Sequence, residues 1–500
     1  MAHPTAQYPA CRCTLVALLM CLATSATAQD LAFEVVPGQR QLFLDNAGIA
    51  EIDSLKQTLH QPIKKGAVIR PTYPAEMTLQ TRSAPAWDPE ARLWKMWLVN
   101  SGDYSGSAFA QSRDGLHWTK PALGQVEVNG SRENSYITID PSLGWPANLI
   151  INVVRDPHDP DPARRFKGLG HAWGREPLVS PDGIHWTKLD VPKIFSADES
   201  NMSYDRLTRT FMATVKTSSH YGRAQALTTS TDFENWTEPV LVFEADDLDQ
   251  QIGRENIEAR RADTSLQQMV SDDPSYYNVD VYNMGVFRYE SLYIGTPVMY
   301  HATGPSADGN NTDGFKLIQL ACSRDLKHWQ RVADRKTFLG PSLLGSGAYD
   351  LTGLLGPSRA VIRGDELWFY YTGAKYRRPP PRAEPDAGAV CLAVLRRDGF
   401  VSLDSGQQAG TMLTRPFKLH GDKLFVNVDA PQGELRVEAL DNHGRVEARS
   451  QPLQGDLIGA LVNWTQGDLA DLKGQSVRLR FTSRKAQFYS YWVENSLVNN

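Results

Sequence analysis

Ser112-Arg-Asp114-Gly-Leu-His-Trp118, Ser180-Pro-Asp182-Gly-Ile-His-Trp186, Ser230-Thr-Asp232-Phe-Glu-Asn-Trp236 and Ser323-Arg-Asp325-Leu-Lys-His-Trp329 are four copies of one pattern, Ser-x-Asp-x-x-x-Trp. A degenerate fifth, Arg396-Arg-Asp398-Gly-Phe-Val-Ser, closes the series, and Asp114 to Asp398 spans four steps of about 71 residues. Self-similarity at a fixed period marks one supersecondary unit used repeatedly. In each copy the Asp is placed to bond turn N–H groups while the Trp packs on the next strand.

Each copy follows a short strand-like run, as in Gly106–Gln111 or Lys316–Ala321. Upstream lies a second run rich in aromatic and β-branched residues: Leu93–Val99, Thr210–Val215, Leu292–Tyr300 and Leu367–Thr372. A turn precedes most of these, and each unit reads strand, turn, strand, loop, strand, Asp turn, strand. That is a four-stranded propeller blade. No segment of the repeat region shows sustained helical periodicity.

The expected fold is all-β, a five-bladed β-propeller over 76–410 followed by a small C-terminal β-sandwich over 411–500. The sandwich is read from alternating runs such as Glu434–Leu440 and Ser476–Phe481. Residues 29–75 form an N-terminal lead segment. In 1–28, Arg12, the apolar run Leu15–Ala23 and Ala26-Thr-Ala28 have the layout of a cleaved signal peptide, which predicts a secreted or periplasmic protein with no transmembrane segment after cleavage.

Composition narrows the function. The 52 Lys+Arg against 57 Asp+Glu give a net charge of -5 with no long basic block, so nucleic acid is not an expected partner. Past the signal only Cys322 and Cys391 remain, both in apolar runs where two buried free thiols are the favoured reading and one disulfide between them is the alternative. His158 and His171 lack any metal-binding spacing, and neither a metal nor another cofactor is expected. The oligomeric state is not legible. The proline-rich stretch 376–385 reads as a surface loop or a rim over a central pocket.

In a propeller, side chains where the innermost strands begin converge on one face. Counting back about a dozen residues from each second strand reaches Arg155-Asp156-Pro-His158, Asp198-Glu199 and Asp280-Val-Tyr282 in units two to four. Unit one offers Arg82, and unit five has Asp350 a little upstream. Clustered carboxylates suit glycoside hydrolysis, where one acid protonates the leaving oxygen and a second attacks or activates water, roughly 5–9.5 Å away. Trp87, Trp173, Tyr276, Tyr277 and Tyr282 are candidate sugar platforms.

The repeat, the Arg155-Asp156-Pro157 triplet and the appended β-region resemble the five-bladed furanosidase superfamily, glycoside hydrolase families 32 and 43. The opening Gln41-Leu-Phe-Leu-Asp45 and the run Arg288–Gly295 resemble secreted bacterial proteins described as family 32 N-terminal-like. The resemblance implies a hydrolase acting on a terminal sugar of an oligo- or polysaccharide, with a furanoside as the candidate substrate. It carries the transition-state stabiliser onto Asp156 and the acid/base onto Glu199, with Asp198, Glu290 and Asp280 as further catalytic candidates. Arg82, Arg155, His158, Tyr282 and Asp350 are the substrate-binding candidates. The family's first-blade Trp-Met-Asn-Asp-Pro motif is absent, so retaining chemistry is not implied. The alternatives are a carbohydrate-binding propeller without catalysis and a glycan phosphorylase, the latter requiring clustered Arg, Lys and His to hold phosphate.

Overall fold

A computed structural model describes residues 33–73, 75–102, 104–140, 142, 147–306, 309–376 and 386–496. The signal-like segment and positions 377–385 of the proline-rich stretch lie outside the described residues. The four Ser-Asp-Trp motifs form the same turn. In the first, Ser112 Oγ accepts from Gly115 N at 2.9 Å, and Asp114 Oδ1 accepts from Leu116 N and His117 N, both at 2.8 Å. Trp118 Nε1 then donates to Gly115 O at 2.8 Å, which lays the indole against the turn. The pattern recurs at Asp182, Asp232 and Asp325. The fourth motif position needs positive φ, met by Gly115 and Gly183 and by Phe233 and Leu326 at φ 69° and 66°.

These turns join the third and fourth strands of successive antiparallel units. The second unit runs Ile150–Arg155, Phe166–Gly170, Glu176–Ser180 and Thr187–Lys188, and the third Ser200–Asp205, Thr210–Ser219, Gly222–Ser230 and Val240–Phe243. The first begins at Thr78–Gln80 and continues as Ala86–Asp88 along the same partner Leu93–Ser101, the fourth begins at Asn278–Tyr289 and the fifth at Gly353–Leu355. The fifth unit takes its outer strand, Ile63–Ile69, from the lead segment, antiparallel to Gly388–Arg396.

Side chains stitch the first strands of all five units into a closed ring. Asn152 Nδ2 donates to Arg82 O and Ser200 O, and Asn283 Nδ2 to Asn201 Oδ1. Thr296 Oγ1 donates to Pro357 O, while Ala84 N and Thr81 N donate to Ser358 Oγ and Thr372 Oγ1. Gly285 lets the fourth unit approach the fifth, since a Cβ there would lie 2.0 Å from Pro357 O. All five first strands run the same way, which gives the ring an entry end, where they begin, and an exit end, where they finish.

The segment 41–59 of the lead joins the C-terminal strands. Gln41–Leu42 pairs with Ala486–Glu494, Ile49–Asp53 with Gly410–Thr414, and Lys56–Leu59 with Val401–Ser405. The fifth motif copy has changed role. Asp398 is fully buried and accepts from Arg40, Tyr289 OH and Ser490 Oγ at 2.5–2.6 Å, and from Asn427 Nδ2 at 3.1 Å. One carboxylate thereby ties ring, lead and C-terminal strands together. Cys322 and Cys391 are buried free thiols.

The expectation of no helix within the repeat is corrected by Asp247–Ala262, a 16-residue helix between the third and fourth units. Its buried residues are Asp249, Gly253, Ile257 and Arg260, so the helical stripe carries only one large apolar side chain. Asp249 pairs with Arg331 at 2.6 Å and Arg260 donates to Leu351 O at 2.8 Å, while Gly253 leaves room for Val279. A capping box joins Asp246 and Asp249 at its start.

The two roles of the motif Asp separate experimentally. Asp398→Ala strands buried donors and lowers unfolding stability by about 3–5 kcal/mol. Asp325→Ala removes only a surface turn cap and costs about 1 kcal/mol. Urea titrations of both variants check the difference.

Candidate functional site

Asp198 and Glu199 immediately precede the strand Ser200–Asp205, so they stand at the entry end. Adjacent extended residues point opposite ways. Glu199 turns inward, 5% exposed, and takes both oxygens to Arg82, 2.6 Å to Nε and 2.7 Å to Nη2. Asp198 turns outward, its side chain 48% exposed, and pairs with Lys216 at 2.7 Å. Burial would raise the Glu199 pKa, but Arg82, with Lys216 and Lys316 behind it, holds it down at about 2. Glu199 is therefore a fixed anion and not a proton donor at ordinary pH.

Asp280 is 4% exposed and sits on the next first strand. Its Oδ2 accepts from Arg223 Nη1 at 2.7 Å, whereas its buried Oδ1 has no hydrogen-bond partner among the described residues. Burial raises its pKa from the ordinary carboxylate value despite Arg223. Two residues on, the Tyr282 ring carries Lys316 Nζ at 3.4 Å and Lys216 Nζ at 4.0 Å from its centroid. These contacts make Tyr282 a cation platform, a use other than sugar stacking.

Arg175 completes the cluster from the loop before Glu176–Ser180. It is fully buried, donates Nε to Ser200 Oγ at 2.6 Å and Nη1 to the carbonyls of His171 and Ala172, and leaves Nη2 without a partner among the described residues. Burial lowers its pKa to about 10. Arg82, Arg175, Lys216, Arg223 and Lys316 thus surround Asp198, Glu199 and Asp280, an excess of positive charge. The same loop exposes Trp173 at 58%, and the neighbouring loop, joined to it through Arg175 and Ile194, exposes Phe195 at 70%.

The structure brings Arg82, Asp198, Glu199, Asp280 and Tyr282 to one place. Asp350 is committed to Lys64 at 2.8 Å and to the Tyr371 hydroxyl at 2.9 Å. Arg155, Asp156, His158 and Glu290 lie at the exit end, so the pairing of Asp156 with Glu199 is corrected. Asn152, level with Arg82 and Ser200, is four residues before Asp156, about 13 Å of strand. The dozen-residue count failed because the second unit's hairpin holds an extra 3-10 turn, Pro162–Arg164. Asp156 there caps His158 N at 2.9 Å, and His158 Nδ1 bonds the Tyr204 hydroxyl at 2.9 Å. Glu290 occupies a tight turn at φ 54° and pairs with Arg397 at 2.9 Å. Sequence reasoning missed Arg175, Lys216, Arg223, Lys316 and Phe195. Lys216 and Lys316 stand inside apolar strand runs, and that placement was the available signal.

No family model matches the chain, and no curated protein matches it. Among solved structures, one described as a glycoside hydrolase aligns at 14% identity and TM-score 0.42, covering 67% of this chain and 92% of its own. A family 32 β-fructofuranosidase from Bombyx mori aligns at 9% identity and TM-score 0.38, covering 87% and 94%. A structure from the family 130 mannoside phosphorylases and hydrolases aligns at 13% identity and TM-score 0.40, covering 70% and 95%.

The Arg82–Glu199 pair is expected to carry a measurable share of stability. Glu199→Gln leaves Arg82 buried against a neutral group and costs about 3–5 kcal/mol. Because the folded Glu199 pKa lies below its ordinary value of 4.5, its contribution is complete above pH 4.5 and is lost as pH falls toward about 2. Stability measured across that window should slope more steeply in the native chain than in Glu199→Gln.

Proposed function

We propose that the chain is an exported glycoside hydrolase that cleaves a terminal sugar at the entry end of the ring. The observation that carries this reading is the pair of unlike carboxylates around Tyr282. Asp280 is buried with a raised pKa and a free oxygen, and Asp198 is open to solvent beside Lys216. One carboxyl buried and the other in water beside a cation is the arrangement that divides acid from base. Asp280 holds a proton for the departing glycosidic oxygen, and Asp198 draws one from the attacking water. Glu199 and Arg82 form a rigid pair that orients sugar hydroxyls, and Trp173 and Phe195 offer exposed ring faces to the sugar. The apolar run of the signal-like segment supports export.

One observation favours phosphorolysis as a second reading, namely the surplus of Arg and Lys around the three carboxylates. Phosphate would then take the place of water. Turnover of a glycan and aryl-glycoside panel, with and without inorganic phosphate, separates the two. Asp280→Asn and Asp198→Asn should each lower kcat by about 10²–10⁴ while the fold stays intact. Activity carried by protonated Asp280 declines as pH rises through its pKa, and Asp280→Asn removes that alkaline limb. Full activity in Asp280→Asn contradicts its assignment as the acid.

A further inference from the structure

At the exit end the ring opens into a second cleft of about 850 Å³. Every unit sends an arginine to it: Arg113 from the first, Arg155 from the second, Arg206 from the third, Arg288 from the fourth, and Arg359 and Arg363 from the fifth. Among the described residues only two carboxylates line it, and both already have partners. Asp205 accepts from Leu207 N at 2.9 Å and from the Thr208 and Tyr293 hydroxyls, with Arg288 3.7 Å away. Glu290 is held by Arg397 and by Arg40 N.

Arg113, Arg155, Arg206, Arg359 and Arg363 have no carboxylate partner among the described residues. Arg359 spends its donors on the carbonyls of Pro85 and Ala360, at 2.9 and 3.3 Å, and Arg155 keeps a buried Nε without an acceptor. Like charges gathered at one mouth repel, and the chain as a whole carries a net charge of -5. A concentration of uncompensated guanidinium groups on an otherwise acidic protein attracts a multivalent anion, and the planar fork of arginine matches sulfate and carboxylate oxygens. Trp87 and Trp94 form one wall, their rings 5.4 Å apart and Trp87 37% exposed, which gives an apolar face beside the charges. An apolar ring face flanked by anion-binding forks fits a sugar ring bearing acidic groups.

We propose that the exit cleft binds a glycan chain carrying sulfate or carboxylate groups, separately from the entry-end site. The anion preference rests on the cleft alone, while the glycan as its bearer rests on the functional reading above and on the tryptophan wall.

The test measures binding of the full chain to dextran sulfate, polygalacturonate and neutral dextran by calorimetry at several salt concentrations. Inorganic sulfate and a short DNA duplex serve as comparison ligands. One or both anionic polysaccharides should bind, neutral dextran should not, and binding should weaken as salt rises. The choice between the two polymers identifies the sulfate ester or the uronate as the anion. Arg113 and Arg206 are exposed, so the double variant Arg113→Gln/Arg206→Gln keeps the fold. It should bind about tenfold or more weakly, and Trp87→Ala should weaken polysaccharide binding but not that of inorganic sulfate. Glu199→Gln and Asp280→Asn should bind as the native chain does, whether or not glycoside cleavage is ever observed. Equal affinity in the double variant, or binding of duplex DNA with no binding of either anionic polysaccharide, overturns the proposal.

Discussion

The ring of side-chain hydrogen bonds among the first strands is the constraint on which the rest depends. Asn152, Asn201, Asn283, Thr296, Ser358 and Thr372 each satisfy a neighbouring unit's polar group in a buried setting. An unmade bond there would cost the full desolvation of the partner left buried and unpaired. Closure therefore fixes the spacing of all five first strands at once. Their common direction then gathers the residues near the start of each strand at one end and those near its finish at the other.

The two ends consequently differ in chemistry, although they are built from the same units. At the entry end the charges are interleaved. Arg82 answers Glu199, Lys216 answers Asp198 and Arg223 answers Asp280, while Lys316 lies over the Tyr282 ring and Arg175 is buried against Ser200. Such a cluster sets protonation states apart, because each carboxyl meets a different balance of burial and partner charge. At the exit end the arginines outnumber their partners, and the result is a field in place of a set of tuned acids. The Asp398 hub and the strand Ile63–Ile69 anchor the lead and C-terminal strands to this ring.

Most of the ring was legible in the sequence because the Ser-Asp-Trp turn is a local device. Its hydrogen bonds span seven residues, so its pattern survives in each copy, and the second strands at Leu93, Thr210, Leu292 and Glu366 follow from it. Features made by distant residues were not legible. The lead segment reads as an extension, yet it closes the fifth unit and borders the C-terminal strands. The helix Asp247–Ala262 escaped because its buried stripe is polar. The site was half legible. Glu199, Asp198, Asp280, Tyr282 and Arg82 came from counting along strands of similar length. The same count misplaced Asp156, because hairpin length varies and a four-residue error carries a side chain from one end of the ring to the other. The cations were harder to read, since a lysine inside an apolar strand signals a buried partner but does not say which distant residue supplies it.

The central claim is that sugar chemistry takes place at the entry end. A crystal structure of the protein soaked with the monosaccharide released from a cleaved glycan tests it most directly. The account predicts the sugar beside Asp280 and Asp198, with Trp173 or Phe195 against a ring face. A sugar bound only at the exit cleft, with the entry-end cluster untouched at saturating concentration, would contradict it.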